Sequence, residues 1–274
     1  MMVQDTGNGS IADAFARGRQ KNRPLFIGFT VAGDPDYTSS CMIVRTMIEA
    51  GADIIELGVP FSDPVADGPV IQRADQRALL AGMNTDHLFE LVCDIRRESD
   101  IPIVLLMYAN IIHRRGIDRF YNEAAIAGVN GILVADLPIE EAEEYITAAY
   151  AHQIDPIMMV TQTTTEDRMD RILSYARGFV YLVTILGVTG ARDDFDKESM
   201  DIITAVRNRT MLPLAPGFGI STHAQSEAFY CAGADAVIVG SAIVQRIEGN
   251  IGDISAICSA VFSYIAEMTA SPDN

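Results

Sequence analysis

Short runs of apolar residues recur along the chain between stretches that have a helical pattern of apolar positions. We count eight such runs, at 25–31, 53–57, 102–108, 131–135, 154–160, 179–184, 212–215 and 236–240. Continuous apolar strands that alternate with amphipathic helices are typical of a parallel sheet covered by helices, because each parallel return needs a crossover helix. Eight such units predict an α/β fold of the (β/α)8 TIM-barrel type.

Three segments of the chain echo one another. The segments that begin at residues 49, 126 and 231 share an Ala-Gly pair, a small or branched residue, an Asp or Asn, and then an apolar run. We predict that the glycine of each pair is a left-handed residue that ends a helix and leads into the next strand. No linker rich in Pro or Ser divides the chain, which predicts a single domain over residues 1–274. We expect a short N-terminal helix and disordered tails at 1–9 and 269–274.

The charge of the chain excludes some classes of partner. The net charge is −17, and the 20 Lys and Arg residues form no basic run longer than two, so we expect binding neither to nucleic acid nor to membrane surfaces. The first 23 residues contain no apolar signal segment, and nowhere do eighteen apolar residues run together, which predicts a cytoplasmic protein. Four scattered cysteines on apolar helix faces predict buried, reduced thiols: Cys41, Cys93, Cys231 and Cys258.

Three carboxylates lie at the end of the second apolar run, in the segment IIELGVPFSDPVADGPVIQ, residues 54–72. Glu56 lies inside the run, and burying a carboxylate there costs several kcal/mol unless it is paired or protonated. A catalytic role and an ion pair with a distant arginine are both open for it. Asp63 and Asp67 flank a proline and precede Gly68, so turn chemistry explains each as well as function does. Catalytic residues of such barrels lie at the carboxyl ends of the strands, which is where this segment falls.

Glycine-rich turns follow the last three apolar runs. They are GVTGA at 187–191, PGFGIS at 216–221 and VGSAIV at 239–244. Backbone N–H groups in such turns, together with a helix N-terminus, bind phosphate without the help of Lys or Arg. Any one of these clusters is more often a plain turn, but three of them on adjacent loops favour a phosphorylated substrate.

The residue types that cofactor chemistry requires are sparse. The only lysines, Lys21 and Lys197, lie outside the predicted strands, so we expect no Schiff base with pyridoxal phosphate (PLP) in this chain. The four histidines lack the spacing of metal ligands, so we expect no catalytic metal. The chemistry is therefore expected to depend on carboxylates.

The signature ELGVPFSDPVADG at 56–68 resembles that of the tryptophan synthase alpha chain family. The segments LLMYAN at 105–110, GVTGA, GFGIS and GSAIV follow in the order of that family, and the resemblance runs from about Pro24 to Ile247. It implies a lyase that cleaves indole-3-glycerol phosphate to indole and D-glyceraldehyde 3-phosphate. It also implies that indole passes to a PLP-containing beta chain in an alpha-beta-beta-alpha tetramer, and that this chain holds no cofactor of its own.

The resemblance also implies roles for individual residues. Glu56 would be the general acid and base, with a pKa raised by its apolar surroundings, and Asp67 would contact the indole N–H and stay ionised in a more polar loop. Other residues would surround the indole and glycerol parts of the substrate or hold its phosphate: Phe29, Leu106, Tyr108, Leu133, Ala135, Tyr181, Thr189, Gly190, Phe218, Gly219, Gly240 and Ser241. Asp63 and Asn110 would face the beta chain, and residues 185–196 would form a mobile lid.

The chain departs from the family's pattern in a few places. Thr184-Ile185-Leu186 stand where many members carry a polar stretch before GVTG, and TQTT at 161–164 and Pro216 are also uncommon.

Two other functions are open. A different phosphate-binding barrel, such as an isomerase or indole-glycerol phosphate synthase, usually needs a Lys, Cys or metal-binding His at a strand end. A non-catalytic chain that only regulates a beta partner would be expected to lack Glu56 or Asp67.

Overall fold

The computed structural model describes residues 9–184 and 197–270 of the chain. Nine strands lie in these residues, and they follow the predicted apolar runs in order. The strands are β1 (Leu25–Val31), β2 (Ile54–Gly58), β3 (Ile103–Met107), β4 (Gly131–Val134), β5 (Asp155–Pro156), β6 (Met158–Thr161), β7 (Val180–Val183), β8 (Leu214–Gly217) and β9 (Ala236–Val239). The run 154–160 supplies both β5 and β6, which only Ile157 separates, so the eight predicted strand positions are confirmed.

Helices of the described residues connect these strands, as parallel pairing requires. They are α1 (Ile11–Gln20), α2 (Tyr37–Glu49), α3 (Pro69–Leu80), α4 (Thr85–Arg96), α5 (Ala109–Arg115), α6 (Ile117–Ala127), α7 (Glu143–Ala151), α8 (Glu166–Tyr175), α9 (Lys197–Arg207), α10 (His223–Cys231), α11 (Ser241–Glu248) and α12 (Ile254–Met268). Within the part of the chain that the structure describes, no helix is long and apolar enough to cross a membrane.

The strands pair in parallel and close into a barrel. Six of them pair in the order β5-β4-β3-β2-β1-β9 and three in the order β6-β7-β8. Two backbone hydrogen bonds join the sheets: Ile157 N–H donates to Ile132 O at 3.0 Å, and Asp235 N–H donates to Leu214 O at 2.9 Å. All seven residues of β1 are buried, because side chains inside the barrel and helices outside it cover the two faces. The predicted (β/α)8 fold is confirmed.

The repeated Ala-Gly pairs end helices as predicted. Gly51 follows α2 with φ 107°, Gly128 follows α6 with φ 99°, and Gly233 follows α10 with φ 99°. Residues with a Cβ rarely adopt these values, so glycine allows the chain to leave each helix and enter the next strand without strain.

The N-terminal helix α1 packs at the amino ends of the strands. A capping box begins it, in which the Asp13 N–H donates to the Ser10 hydroxyl and the Ser10 N–H to the Asp13 carboxylate. The ring of Phe15 lies 6.1 Å from that of Phe179, just before β7. Gly9 is bonded through its N–H to Asp100 O, whereas residues 1–8 and 271–274 lie outside the described part.

Two local predictions were wrong. Pro216 was placed in the turn after the seventh run, but it lies inside β8, opposite Leu182 of β7. The Asp235–Leu214 hydrogen bond joins β8 to the segment that leads into β9, but within the described residues no strand ladder pairs β8 with β9 at Pro216, so the missing N–H breaks no ladder bond there. Cys231 was expected to be buried, but it ends α10 and is exposed, whereas Cys41 is buried. The cysteines are all free.

Candidate active site

Glu56 is a buried carboxyl group in the barrel wall. It is the third residue of β2, paired in register with Phe29 of β1 and Val104 of β3, and it is 0 % exposed. In the described residues neither of its carboxylate oxygens has a hydrogen-bond partner. Burial, and then the negative charge of Asp67, raise the pKa of Glu56 to about 8. The distant-arginine alternative therefore finds no support in the described residues, and Glu56 can hold or release a proton near neutral pH.

Asp67 is held by a tyrosine from the neighbouring strand. The Tyr108 hydroxyl donates to Asp67 Oδ2 at 2.6 Å and accepts the Ala66 N–H at 3.1 Å. The Phe61 ring stacks on Tyr108 with centroids 4.9 Å apart. Burial raises the pKa of Asp67 above its ordinary value, and the Tyr108 hydrogen bond opposes part of that rise. The loop is thus less polar around Asp67 than its sequence suggested, and a single hydrogen bond favours the ionised form.

The two carboxyl groups line one cavity of about 380 Å³ at the carboxyl ends of the strands. Leu106 and Tyr181 lie beside them on the cavity wall. Burial and the nearby negative charges of Glu56 and Asp67 raise the pKa of Tyr181, so that phenol stays protonated. Apolar and aromatic side chains beside two carboxyl groups suit a ligand that is largely apolar and carries a few polar atoms.

Glycine turns line another part of the cavity, which we call the glycine end. Phe218 and Gly219 follow β8 with φ 85° and 76°, and such values are strained for a phenylalanine, as is often seen at functional sites. Gly240 precedes α11, and a Cβ there would lie 2.8 Å from Cδ1 of Phe29. Ser241 begins α11, and the N–H groups of Ser241 and Ala242 precede the first intrahelical hydrogen bond, which Ile243 N–H donates to Gly240 O at 2.8 Å. This end of the cavity therefore offers backbone donors and a helix N-terminus suited to an anion.

The chain resembles proteins of one family along nearly its whole length. The family model described as Tryptophan synthase alpha chain matches residues 15–271. The tryptophan synthase alpha chain of Methanoregula boonei is 53% identical over 260 residues, which cover 95% of this chain and 97% of that protein. The chain belongs to the tryptophan synthase alpha chain family. It is therefore a lyase of tryptophan biosynthesis.

Solved structures of this family have the same fold. The alpha subunit from Legionella pneumophila superposes with a TM-score of 0.85 at 31% identity, covering 94% of this chain and 96% of that one. A chain of the tryptophan synthase α2β2 complex from Pyrococcus furiosus does so with a TM-score of 0.84 at 36% identity, covering 89% and 97%.

The structure brings most of the residues expected from the family's pattern to the cavity. Those that line it together with Glu56 and Asp67 are Phe29, Leu106, Tyr181, Phe218, Gly219, Gly240 and Ser241. Tyr108 reaches the site through its hydrogen bond to Asp67. Thr189, Gly190 and the rest of the expected lid at 185–196 lie outside the described residues.

Two expected substrate contacts of the family's pattern fall elsewhere. Leu133 is buried but does not line the cavity of Glu56 and Asp67. Ala135 lines a separate cavity of about 500 Å³ that also involves residues of α7 and α8. Ala135 lies one residue beyond the end of β4, and its N–H donates to Met107 O at 2.8 Å. Of the residues expected to face a partner, Asp63 and Asn110 are both exposed.

Asp75 of α3 is a further buried acid that was not among the site residues expected from the sequence. It is 4 % exposed, and in the described residues its Oδ2 has no hydrogen-bond partner. Burial, followed by the charges of Asp67 and Asp34, raises the pKa of Asp75 to about 8. A sequence signal existed: Asp75 lies four residues after Ile71 and three before Ala78, on the apolar face of the helix. In the described residues no cluster of three His, Cys, Asp or Glu side chains could hold a metal ion.

Proposed function

We propose that Glu56 and Asp67 carry the cleavage of indole-3-glycerol phosphate to indole and D-glyceraldehyde 3-phosphate. The observation that supports it most is an unpartnered, fully buried Glu56 with a pKa of about 8 in the same cavity as Asp67. A carboxyl group of this kind is poised to donate and accept protons near neutral pH. An isolated buried carboxylate with no structural partner is hard to explain by stability alone.

In the proposed reaction Glu56 first donates a proton and then accepts one, so it ends in the protonation state in which it began. Protonated Glu56 gives its proton to C3 of the indole ring, which places positive charge on the ring nitrogen. Asp67 accepts the N–H hydrogen bond and stabilises that charge more strongly than it stabilises the neutral ring. The Glu56 carboxylate then takes the 3′-hydroxyl proton, the C3–C3′ bond breaks, and its electron pair returns to the ring. An aldehyde forms at C3′, indole leaves neutral, and Glu56 is protonated again.

The phosphate is proposed to lie at the glycine end of the cavity. Gly219, Gly240 and Ser241 would bind it through backbone N–H groups and the N-terminus of α11. Arginine and lysine do not line this cavity within the described residues. Backbone donors and the helix dipole would therefore have to supply the charge stabilisation.

A beta chain is the proposed partner, and indole is proposed to pass to it. Asp63 is exposed in the loop after β2, and Asn110 is exposed in the first turn of α5, which follows β3. Both would contact that chain in an alpha-beta-beta-alpha assembly. PLP would belong to the beta chain, with no cofactor in this one. A cytoplasmic location is part of the same proposal.

Indole release gives a direct test. The chain contains no Trp, so indole fluorescence can be followed without protein background. Glu56→Gln should lose at least the ~10²–10⁴-fold typical of general acid–base catalysis. Glu90→Gln, an exposed acid on α4, is the matched control and should cleave at the wild-type rate. Near-normal cleavage by Glu56→Gln would refute the assignment, and absence of cleavage by the wild type with a beta chain would favour a purely regulatory role.

A further inference from the structure

Glu248, the last residue of α11, is held by two arginines of α3. Arg73 donates to it through Nε and Nη2, both at 2.7 Å, and Arg77 donates through Nη1 at 2.9 Å. Arg73 and Arg77 are four residues apart on one helix face, where two like charges repel unless an anion lies between them. The Glu248 carboxylate therefore joins the end of α11 to the middle of α3.

Arg77 extends this connection into the barrel. Its Nε and Nη2 donate to the two oxygens of Asp34, at 2.7 and 2.9 Å. Asp34 follows β1 and is completely buried. Such a bidentate pair restricts both the position and the orientation of the guanidinium group. Arg77 is thus anchored to the buried segment that follows β1, and α11 is anchored through Arg77.

The two connected helices carry different parts of the proposed substrate site. α3 begins directly after Asp67 and Gly68, and its Ile71 lines the cavity. α11 begins at Ser241, and its Gln245, three residues before Glu248, lines the same cavity. If α11 moved along α3, the distance between the N-terminus of α11 and the Asp67 carboxylate would change.

We propose that Glu248, acting through Arg73 and Arg77, is a positioning residue that fixes the N-terminus of α11 relative to Asp67. This inference rests on the proposed function, since it assumes that the phosphate and the indole ring of one substrate bind at those two places. A substrate that must reach both places at once gains from having them at a fixed separation. Separate fragments have no such requirement.

A purely stabilising role explains the cluster less well. The Arg73 and Glu248 side chains are 51% and 28% exposed, and ion pairs of that exposure contribute little to stability. The chain offers a comparison: Glu123 of α6 likewise accepts from two arginines, Arg115 and Arg119, and its side chain is 25% exposed. No residue of that second cluster lines the cavity of Glu56 and Asp67.

The experiment compares Glu248→Gln with Glu123→Gln in the full chain without a beta chain. For each variant, kcat/KM for indole-3-glycerol phosphate is measured by indole fluorescence. Dissociation constants for the two fragments, glycerol 3-phosphate and indole, are measured by calorimetry, and Tm is measured by circular dichroism. Glu248→Gln should lower kcat/KM by ~10- to 100-fold, as expected for a small misplacement of substrate. Its affinities for the two fragments should change less than about twofold, since each fragment needs only one end of the site.

Each alternative result overturns the inference. Unchanged kcat/KM in Glu248→Gln would show that the cluster does not position the site. A loss of glycerol 3-phosphate affinity as large as the loss of kcat/KM would show that Glu248 shapes only the phosphate end. An equal loss of activity in Glu123→Gln, at equal change in Tm, would assign the effect to general stability.

Arg73 offers an independent check that leaves the buried Asp34 paired. Arg73→Gln should reproduce part of the effect of Glu248→Gln, and Arg73→Lys, which keeps the charge, should restore part of the activity. Equal activity of Arg73→Gln and the wild type would contradict the proposed route. Failure of the proposed function would be distinct, because the wild-type chain itself would then cleave no substrate.

Discussion

The Tyr108 hydroxyl donates a 2.6 Å hydrogen bond to Oδ2 of Asp67. It joins the end of β3 to the loop that follows β2, and it is the hydrogen bond that lowers the pKa of Asp67 against the effect of burial. Tyr108 thereby orients the proposed indole-binding carboxylate and favours its ionised form. Its own pKa is raised by burial and by the same hydrogen bond, so it stays a donor over the range in which the site works.

Tyr108→Phe is expected to impair turnover through Asp67. The Phe61 stacking is kept, but a hydrogen bond to a charged group, worth roughly 1.5–3 kcal/mol, is lost. We expect kcat to fall about tenfold or more. Without the donor the pKa of Asp67 rises, so the acid limb of the pH profile of kcat should move to higher pH. A profile whose acid limb stays in place would show that Tyr108 acts on something other than Asp67.

Asp67→Asn should lower kcat more than it raises KM, because the contact with the ring N–H strengthens as positive charge develops. A raised KM with unchanged kcat would contradict this.

Asp67→Asn should also change the alkaline limb of the pH profile of kcat. Glu56 must start protonated, so activity should fall above about pH 8, where Glu56 ionises. The negative charge of Asp67 contributes to that raised pKa, so its removal should move the alkaline limb to lower pH. Steady-state pH profiles of kcat for the wild type and Asp67→Asn test this shift, and an alkaline limb that stays in place would contradict it.

Asp75→Asn is expected to stabilise the protein at neutral pH. The pKa of Asp75 is about 8 in the folded chain, against about 3.9 in the unfolded chain. The folded state thus binds more protons between those values, so its stability decreases as pH rises from about 4 to about 8. Asparagine does not titrate. The free energy of unfolding of the variant relative to wild type should therefore rise by on the order of 2–5 kcal/mol between about pH 4 and about pH 8. Urea unfolding at pH 4 and pH 8 measures the gain.

The control for Asp75→Asn is Glu267→Gln, which changes an exposed acid on α12. Its stability relative to wild type should be nearly independent of pH. A constant difference between Asp75→Asn and wild type at both pH values would show that Asp75 titrates normally in the folded chain.

Gly240→Ala is expected to weaken phosphate binding. The new Cβ would lie 2.8 Å from the Phe29 ring, so either the ring must move or the start of α11 must shift. We expect the affinity for glycerol 3-phosphate, measured by calorimetry, to fall about tenfold or more, the change that ~1.4 kcal/mol produces. Gly219→Arg, which places a long side chain at the same end, should act in the same direction. Wild-type affinity in both variants would show that the phosphate lies elsewhere.

Local patterns of the sequence predicted much of the fold. The apolar run at 25–31 has the bounds of β1, and the glycines of the Ala-Gly pairs end helices with positive φ. Both features depend on interactions within a few residues, such as side-chain periodicity and the steric limits on φ. Pro216 was misplaced because proline is tolerated inside β8 only where its position needs no ladder bond, which depends on how the assembled strands pair.

The sequence by itself determined the fold class, the family and the placement of Glu56 and Asp67 at a strand end, because these follow from periodicity and from short, contiguous motifs. Only the tertiary structure decided that Tyr108 reaches Asp67, that Ala135 lines a separate cavity, and that Glu248 meets Arg73 across 175 positions of the chain. These relationships join residues that are distant in sequence. Their geometry depends on how strands close and helices pack, and so does the burial that raises the pKa of Asp75.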